Sequence, residues 1–320
     1  MPIFFHILGH NIIPIFVLIA LGFILSKKFN LDVFTLSKLN FYLFIPSFMF
    51  VNLYTTTIDF AMVRVLICGI ALLIANDIVG EIIARIRHYD VGLKNAFKNS
   101  IMYTNCGNIG VSLITLIFTS DIFVIDGKTP YLDIAIAAQI VILLLQNITA
   151  NTLGFFYAGR ANFKAKDSIM KILEMPSIYV IPLVFFFKGI HFDIATTVIW
   201  PALGYLKDGL VPIALLTLGV QLSKTNFDFK NVDVHISVFT RLVIGPILTM
   251  IFIYIFGFTG VIAQTLLIAY AVPTAVNIAL IAVECNNYPD FASQSVMVST
   301  VFSAVTLTFI IYIARIIYPV

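Results

Sequence analysis

Apolar residues run along this chain in long stretches separated by short polar joints. The stretches lie near residues 10–26, 38–55, 63–84, 97–119 and 130–157, and again near 168–188, 198–222, 234–256, 260–283 and 292–317. Most reach the roughly 20 residues that a helix needs to cross a bilayer. The pattern predicts ten spanning helices in an all-α polytopic membrane protein, with no joint long enough for a soluble domain. The longest polar joint near the middle carries Tyr157, Gly159, Arg160, Lys164, Lys166, Asp167 and Lys171, and it divides five runs from five. The organisation expected is a five-helix unit over 1–157, a connection over 158–171 and a second unit over 172–320.

Two of the runs are interrupted. The fourth contains Tyr103-Thr104-Asn105-Cys106-Gly107-Asn108-Ile109-Gly110, and the ninth contains Ala271-Val272-Pro273-Thr274-Ala275-Val276-Asn277. A broken helix in hydrocarbon frees backbone donors and acceptors that water cannot reach, so a break persists only beside a cavity or against protein. Glycine permits non-helical backbone angles, and Pro273 removes a backbone donor. Pro46 in the second run lies 166 residues before Pro212 in the seventh, and Asn105 lies 168 before Pro273. One near-common offset suggests a duplicated unit. An odd number of spans per unit inverts the second copy, the topology that alternating access uses.

Composition strengthens the membrane reading. Hydrophobic residues make up 60% of the chain and charged residues 11%, against about 25% charge in a soluble domain. The formal charge of +3 gives no reason to expect nucleic acid. Basic residues crowd four alternate joints: Lys27, Lys28 and Lys38; Arg85, Arg87, Lys94 and Lys98; Arg160, Lys164, Lys166 and Lys171; Lys224 and Lys230. The opposite side has Arg64, Lys128, Lys188 and Arg315. The positive-inside rule then puts both termini away from the cytoplasm in a multi-pass protein of the cell membrane. The first run ends in Lys27-Lys28 without a basic segment before it, and reads as a retained span. Cys68, Cys106 and Cys285 have neither disulfide nor metal-site spacing, and no cofactor or metal is expected.

The breaks also carry the candidate chemistry. Asn105, Gly107, Asn108 and Gly110 in one, and Pro273, Thr274 and Asn277 in the other, would set three amides and two half-helix N-termini around one point. The half-helix of the fourth run is expected to begin near Ile109. Helix N-termini carry partial positive charge and free N–H groups, and amides donate hydrogen bonds. That combination suits a carboxylate without an arginine. Each break taken singly also fits a kinked span with small packing residues; two at equivalent places favour a site. Asp77 and the Lys207-Asp208 pair sit deep in their runs and are candidates for proton coupling or support, with an internal ion pair to Lys207 an equal alternative. Gln139, Gln146, Asn147 and Asn151 in the fifth run, and Ser299, Thr300 and Ser303 in the tenth, read as polar glue between helices.

With these residues the chain resembles the auxin efflux carrier family, which includes bacterial permeases for malate, malonate and related acids. Asn105-Cys106-Gly107-Asn108-Ile109-Gly110-Val111 is similar to the family's fourth-span pattern, and Val272-Pro273-Thr274-Ala275-Val276-Asn277 to its ninth-span pattern. Pro212-Ile213-Ala214-Leu215-Leu216-Thr217-Leu218-Gly219, and Thr300 with Ser303, resemble its seventh and tenth. Ser112 stands where many relatives have proline. The resemblance implies a ten-span inverted repeat whose fourth and ninth spans cross beside the substrate, with Pro46 and Ser47 facing them. It also implies a scaffold of spans 1, 2, 6 and 7, often dimeric, against which the rest moves.

The function expected is secondary transport of a small organic anion, a mono- or dicarboxylate such as malate or malonate, by an elevator-like motion. A proton or a sodium ion would serve as coupling partner. A channel or a non-transporting sensor is the alternative. An intramembrane enzyme is less favoured, because the sequence has no HExxH, paired-aspartate or nucleophile-elbow motif.

Overall fold

The computed structural model describes residues 5, 7–55, 60–159, 176–224 and 230–320. Among them the regular structure is helical, with two isolated β-bridges. Seven helices are long and apolar enough to cross a bilayer: α1 Ile7–Phe29, α2 Val33–Thr55, α3 Ala61–Ile86, α6 Leu132–Ala158, α8 Trp200–Ser223, α9 Val232–Phe256 and α12 Pro289–Ile317. Five shorter ones complete the order: α4 Val91–Met102, α5 Cys106–Phe118, α7 Pro176–Gly189, α10 Gly260–Ala271 and α11 Val276–Glu284. The fourth and ninth apolar runs are therefore each two helices, α4–α5 and α10–α11. The sixth is described only as α7, and the connection expected over 158–171 lies outside the described residues from Arg160 onward.

Each break has a local cause. Asp90 caps α4, accepting from the N–H groups of Gly92 (2.7 Å) and Leu93 (3.0 Å). The helix ends where Tyr103 turns extended at φ −104°, ψ 125°. Asn105 then caps α5, its Oδ1 accepting from the Asn108 N–H at 3.3 Å. Asparagine is among the strongest N-cap residues, so α5 starts at Cys106, three residues before the expected Ile109. Its first turn is wide, with the N–H groups of Ile109 and Gly110 both directed at the Asn105 carbonyl. Ser112 donates to the Asn108 carbonyl at 2.6 Å, a back-bond that bends helices. In the other run, Val272 and Ala275 are extended on either side of Pro273-Thr274. Pro212, by contrast, sits inside an unbroken α8.

Helices α1 and α8 touch backbone to backbone. A Cβ on Gly219 would lie 1.9 Å from the Ile19 carbonyl oxygen, and one on Gly22 2.1 Å from that of Leu216. Without such small residues the helices would stand apart and lose the dispersion contact that drives association in lipid. A polar link runs along the same seam, Ser223 to Ser26 at 2.7 Å, and Asn40 of α2 reaches Thr217 of α8 at 3.0 Å. Beside this pair, α2 packs on α8 and α7 on α2.

Candidate functional site: the meeting of two broken helices

The two breaks meet. Thr104 and Thr274 form an antiparallel bridge. The Asn105 N–H donates to the Pro273 carbonyl at 2.7 Å, and the Ala275 N–H to the Tyr103 carbonyl at 3.0 Å. Each extended segment thus satisfies the other's freed backbone, as burial in hydrocarbon demands.

The last four carbonyls of α4, which no helix can satisfy, all find donors. Asn99 accepts from the Tyr103 N–H (3.3 Å), Ser100 from Thr274 Oγ1 (2.9 Å), Ile101 from Arg241 Nη1 (2.6 Å) and Met102 from Gln146 Nε2 (3.5 Å). Gln146 uses its other end as well, Oε1 accepting from the Thr104 N–H at 3.0 Å. Arg241 also donates through Nη2 to the Tyr270 carbonyl near the end of α10. The Thr274 N–H reaches Ser299 Oγ at 3.1 Å, and Gln139 reaches the Cys106 carbonyl at 2.7 Å. A wide turn at Ala150–Gly154 in α6 accommodates the join: the Thr149 carbonyl takes the Tyr103 hydroxyl (3.0 Å) and the Gly154 carbonyl takes Asn99 Nδ2 (2.9 Å).

Where the breaks meet, a small cavity of about 50 Å³ opens, lined among others by Thr104, Asn105, Gly107, Asn108, Ala275 and Asn277. It adjoins a larger one of about 500 Å³ that runs past Lys38, Asn151 and Glu284; Ser37, Phe41, Asn147, Asn277 and Leu280 line both. Asn105 is 4% exposed, and its Nδ2 has no hydrogen-bond partner among the described residues. A buried donor left unmade costs about 1–3 kcal/mol. The N-termini of α5 and α11 lie at the same wall, at Asn105 and Ala275. The chemistry offered is a set of uncharged donors with positive dipole ends, suited to one anionic group.

The sequence-predicted residues divide into three sets. Asn105, Gly107, Asn108 and Asn277 line the cavity. Pro273, Thr274 and Gly110 are buried behind it and build the join; a Cβ on Gly110 would fall 2.7 Å from Gln139 Nε2. Pro46 and Ser47 are not among the lining residues, and their place is taken by Asn40, Phe41 and Ile45. Asp77 stands apart, accepting from Lys98 Nζ at 2.8 Å and from the Tyr157 hydroxyl at 2.6 Å. Lys207 and Asp208 are 3.7 Å apart, with the Asp208 side chain 73% exposed, and neither lines the cavity.

Sequence reasoning missed or misread four contributors. Lys98 reads as a basic residue of a joint, yet it lies inside α4 and is 5% exposed. Asn147 and Asn151 read as glue, yet they line the cavities. Arg241, buried at 0% exposure, is a fourth such residue. Its signal was available, since an arginine in the middle of an apolar run is costly unless it serves the interior.

Comparison with known proteins finds similarity to membrane transport proteins. Residues 165–311 match the family described as membrane transport protein. An uncharacterized transporter of Methanothermobacter thermautotrophicus is 25% identical over 309 residues, covering 93% of this chain and 95% of its own. A Rhizobium meliloti protein named "Putative malonate transporter" is 26% identical over 112 residues, 35% of either chain. These matches bear out the resemblance drawn from the motifs: the chain is similar to membrane transport proteins, to the family model over 165–311 and to an uncharacterized transporter over most of its length.

Proposed function

We propose that the protein is a secondary active transporter of small organic anions, with its substrate held where the two broken helices meet. The observation that carries this reading is the buried Asn105 Nδ2, a donor without a partner at a wall formed by two helix N-termini. A carboxylate supplies the missing acceptor, and the positive dipole ends favour its charge. The name of the Rhizobium relative makes malonate the first acid to test. For a dicarboxylate, the larger cavity offers Lys38 and the amides of Asn147 and Asn151 to a second carboxyl group.

The reading takes α4–α5 and α10–α11 as the fourth and ninth of ten spans, in two inverted five-span units over 1–157 and 172–320. By the lysine bias the large cavity, with Lys38 at its wall, opens to the cytoplasm. The structure would then be the inward-open state of an elevator-like cycle in the cell membrane. The glycine-locked pair α1 and α8, with α2 and α7, would be the scaffold, and in a homodimer it would form the contact. The Lys98–Asp77–Tyr157 cluster is the candidate for coupling, since a proton on Asp77 would release Lys98 of α4.

The test is uptake of labelled malonate, malate, lactate and indole-3-acetate into proteoliposomes, with and without a proton gradient. Saturable uptake of one acid, lost in Asn105→Ala, is expected. Conductance without saturation would make the protein a channel instead.

A further inference from the structure

Arg241 is wholly buried in α9, and among the described residues no carboxylate forms an ion pair with it. Its guanidinium instead spans two helix ends, donating to Ile101 at the end of α4 and to Tyr270 at the end of α10. Room is made for it within its own helix. It sits in the wide turn Thr240–Ile244, and a Cβ on Gly245 would come 2.8 Å from Nη2 and 3.2 Å from Cζ.

The charge arithmetic closes. Each helix C-terminus carries about −0.5 of an elementary charge, so two ends facing one point present about −1, which one guanidinium neutralises. In carriers with broken helices, such C-terminal ends and unwound carbonyls often coordinate a sodium ion or a proton. Here a planar fork takes that place and reaches both ends at once, which a lysine ammonium on a single stem does poorly.

We infer that Arg241 is a built-in counter-cation, a positioning residue that ties the first halves of both broken helices to α9 and leaves no place there for a free cation. The inference rests on the transporter reading, and it separates two roles in space. The fixed cation serves the C-terminal ends of α4 and α10, while the N-terminal ends of α5 and α11 stay positive for the anion. A coupling ion would then have to act elsewhere, at groups such as Asp77.

Thermal melting of the purified protein, which needs no transport, tests this. Replacing sodium by choline at equal ionic strength should leave the Tm of an Asp77→Asn variant, which lacks the other candidate ion site, unchanged; a sodium-specific rise in that variant would overturn the inference. Arg241→Ala should melt lower and regain several degrees in millimolar guanidinium, to which the wild type does not respond. A variant that melts and transports like the wild type would overturn it equally. If Arg241→Ala yields no folded protein, Arg241→Lys serves. It should lower the maximal uptake rate at least tenfold with KM little changed, whereas full activity with lysine would contradict the two-ended fork. A wild type that behaves as expected in the melts yet carries no acid would remove the transport reading and leave Arg241's role standing.

Discussion

The Asn105 amide uses its two ends differently: Oδ1 caps α5, while Nδ2 has no hydrogen-bond partner among the described residues and is the donor proposed for the substrate. Substitutions can separate the two. Aspartate caps helices as well as asparagine does, but it has no donor and repels an anion. Asn105→Asp should therefore keep the Tm within a few degrees and abolish acid uptake, a comparison that melting and proteoliposome assays make directly. Asn105→Ala should lose uptake too, with a cap loss of about 0.5–2 kcal/mol in stability. At this scale the sequence is legible where a residue type is improbable in its setting. Asn105 and Pro273 announce themselves because asparagine and proline interrupt apolar runs. Pro46, Ser47, Lys207 and Asp208 announce themselves for the same reason and line neither cavity. Improbability marks a residue that needs a partner, and that partner need not be a substrate. Lys98 shows the converse: its identity suits a polar joint, and only the fold reveals that Asp77 sits 2.8 Å away.

Elements were readable from period and length, while their contacts were not. Ten apolar runs are plain in the sequence, yet nothing in it pairs Thr104 with Thr274, since that bridge links segments 170 residues apart. The glycine seam between α1 and α8 is similarly invisible until the helices are side by side. Gly219→Leu would drive its side chain into the Ile19 backbone and should destabilise by about 1–3 kcal/mol or more, seen as lost folded yield in detergent. Gly204→Ala on the same helix meets nothing within 4 Å and should be silent. Acid should loosen a different joint. The Tyr288 hydroxyl and the Leu93 and Gly92 N–H groups hold the Asp90 carboxyl below its usual range. A lowered carboxylate pKa stabilises the fold fully above the unfolded value of about 4, and that contribution fades as pH falls through the folded value. The stability difference between wild type and Asp90→Asn should therefore shrink from pH 7 to pH 3, measured by melting. A difference that does not change with pH would mean that the Asp90 charge contributes nothing.

For the whole molecule, the cavity at the meeting of the breaks shares Ser37, Phe41, Asn147, Asn277 and Leu280 with the larger cavity, whose wall includes Lys38 and Glu284. On the proposed orientation Lys38 faces the cytoplasmic side. In a Cys285→Ser background, Lys38→Cys should react with a membrane-impermeant maleimide added from the cytoplasmic side, and substrate should slow the reaction. Labelling from the opposite side alone would invert the topology. The central claim is that the paired breaks hold a carboxylate in transit, and initial rates of labelled malonate uptake into proteoliposomes test it most directly, with wild type and Asn105→Asp reconstituted at equal folded density. The account predicts saturable uptake by the wild type and a rate at the liposome background in Asn105→Asp. Equal saturable uptake by both would place the substrate elsewhere and contradict it.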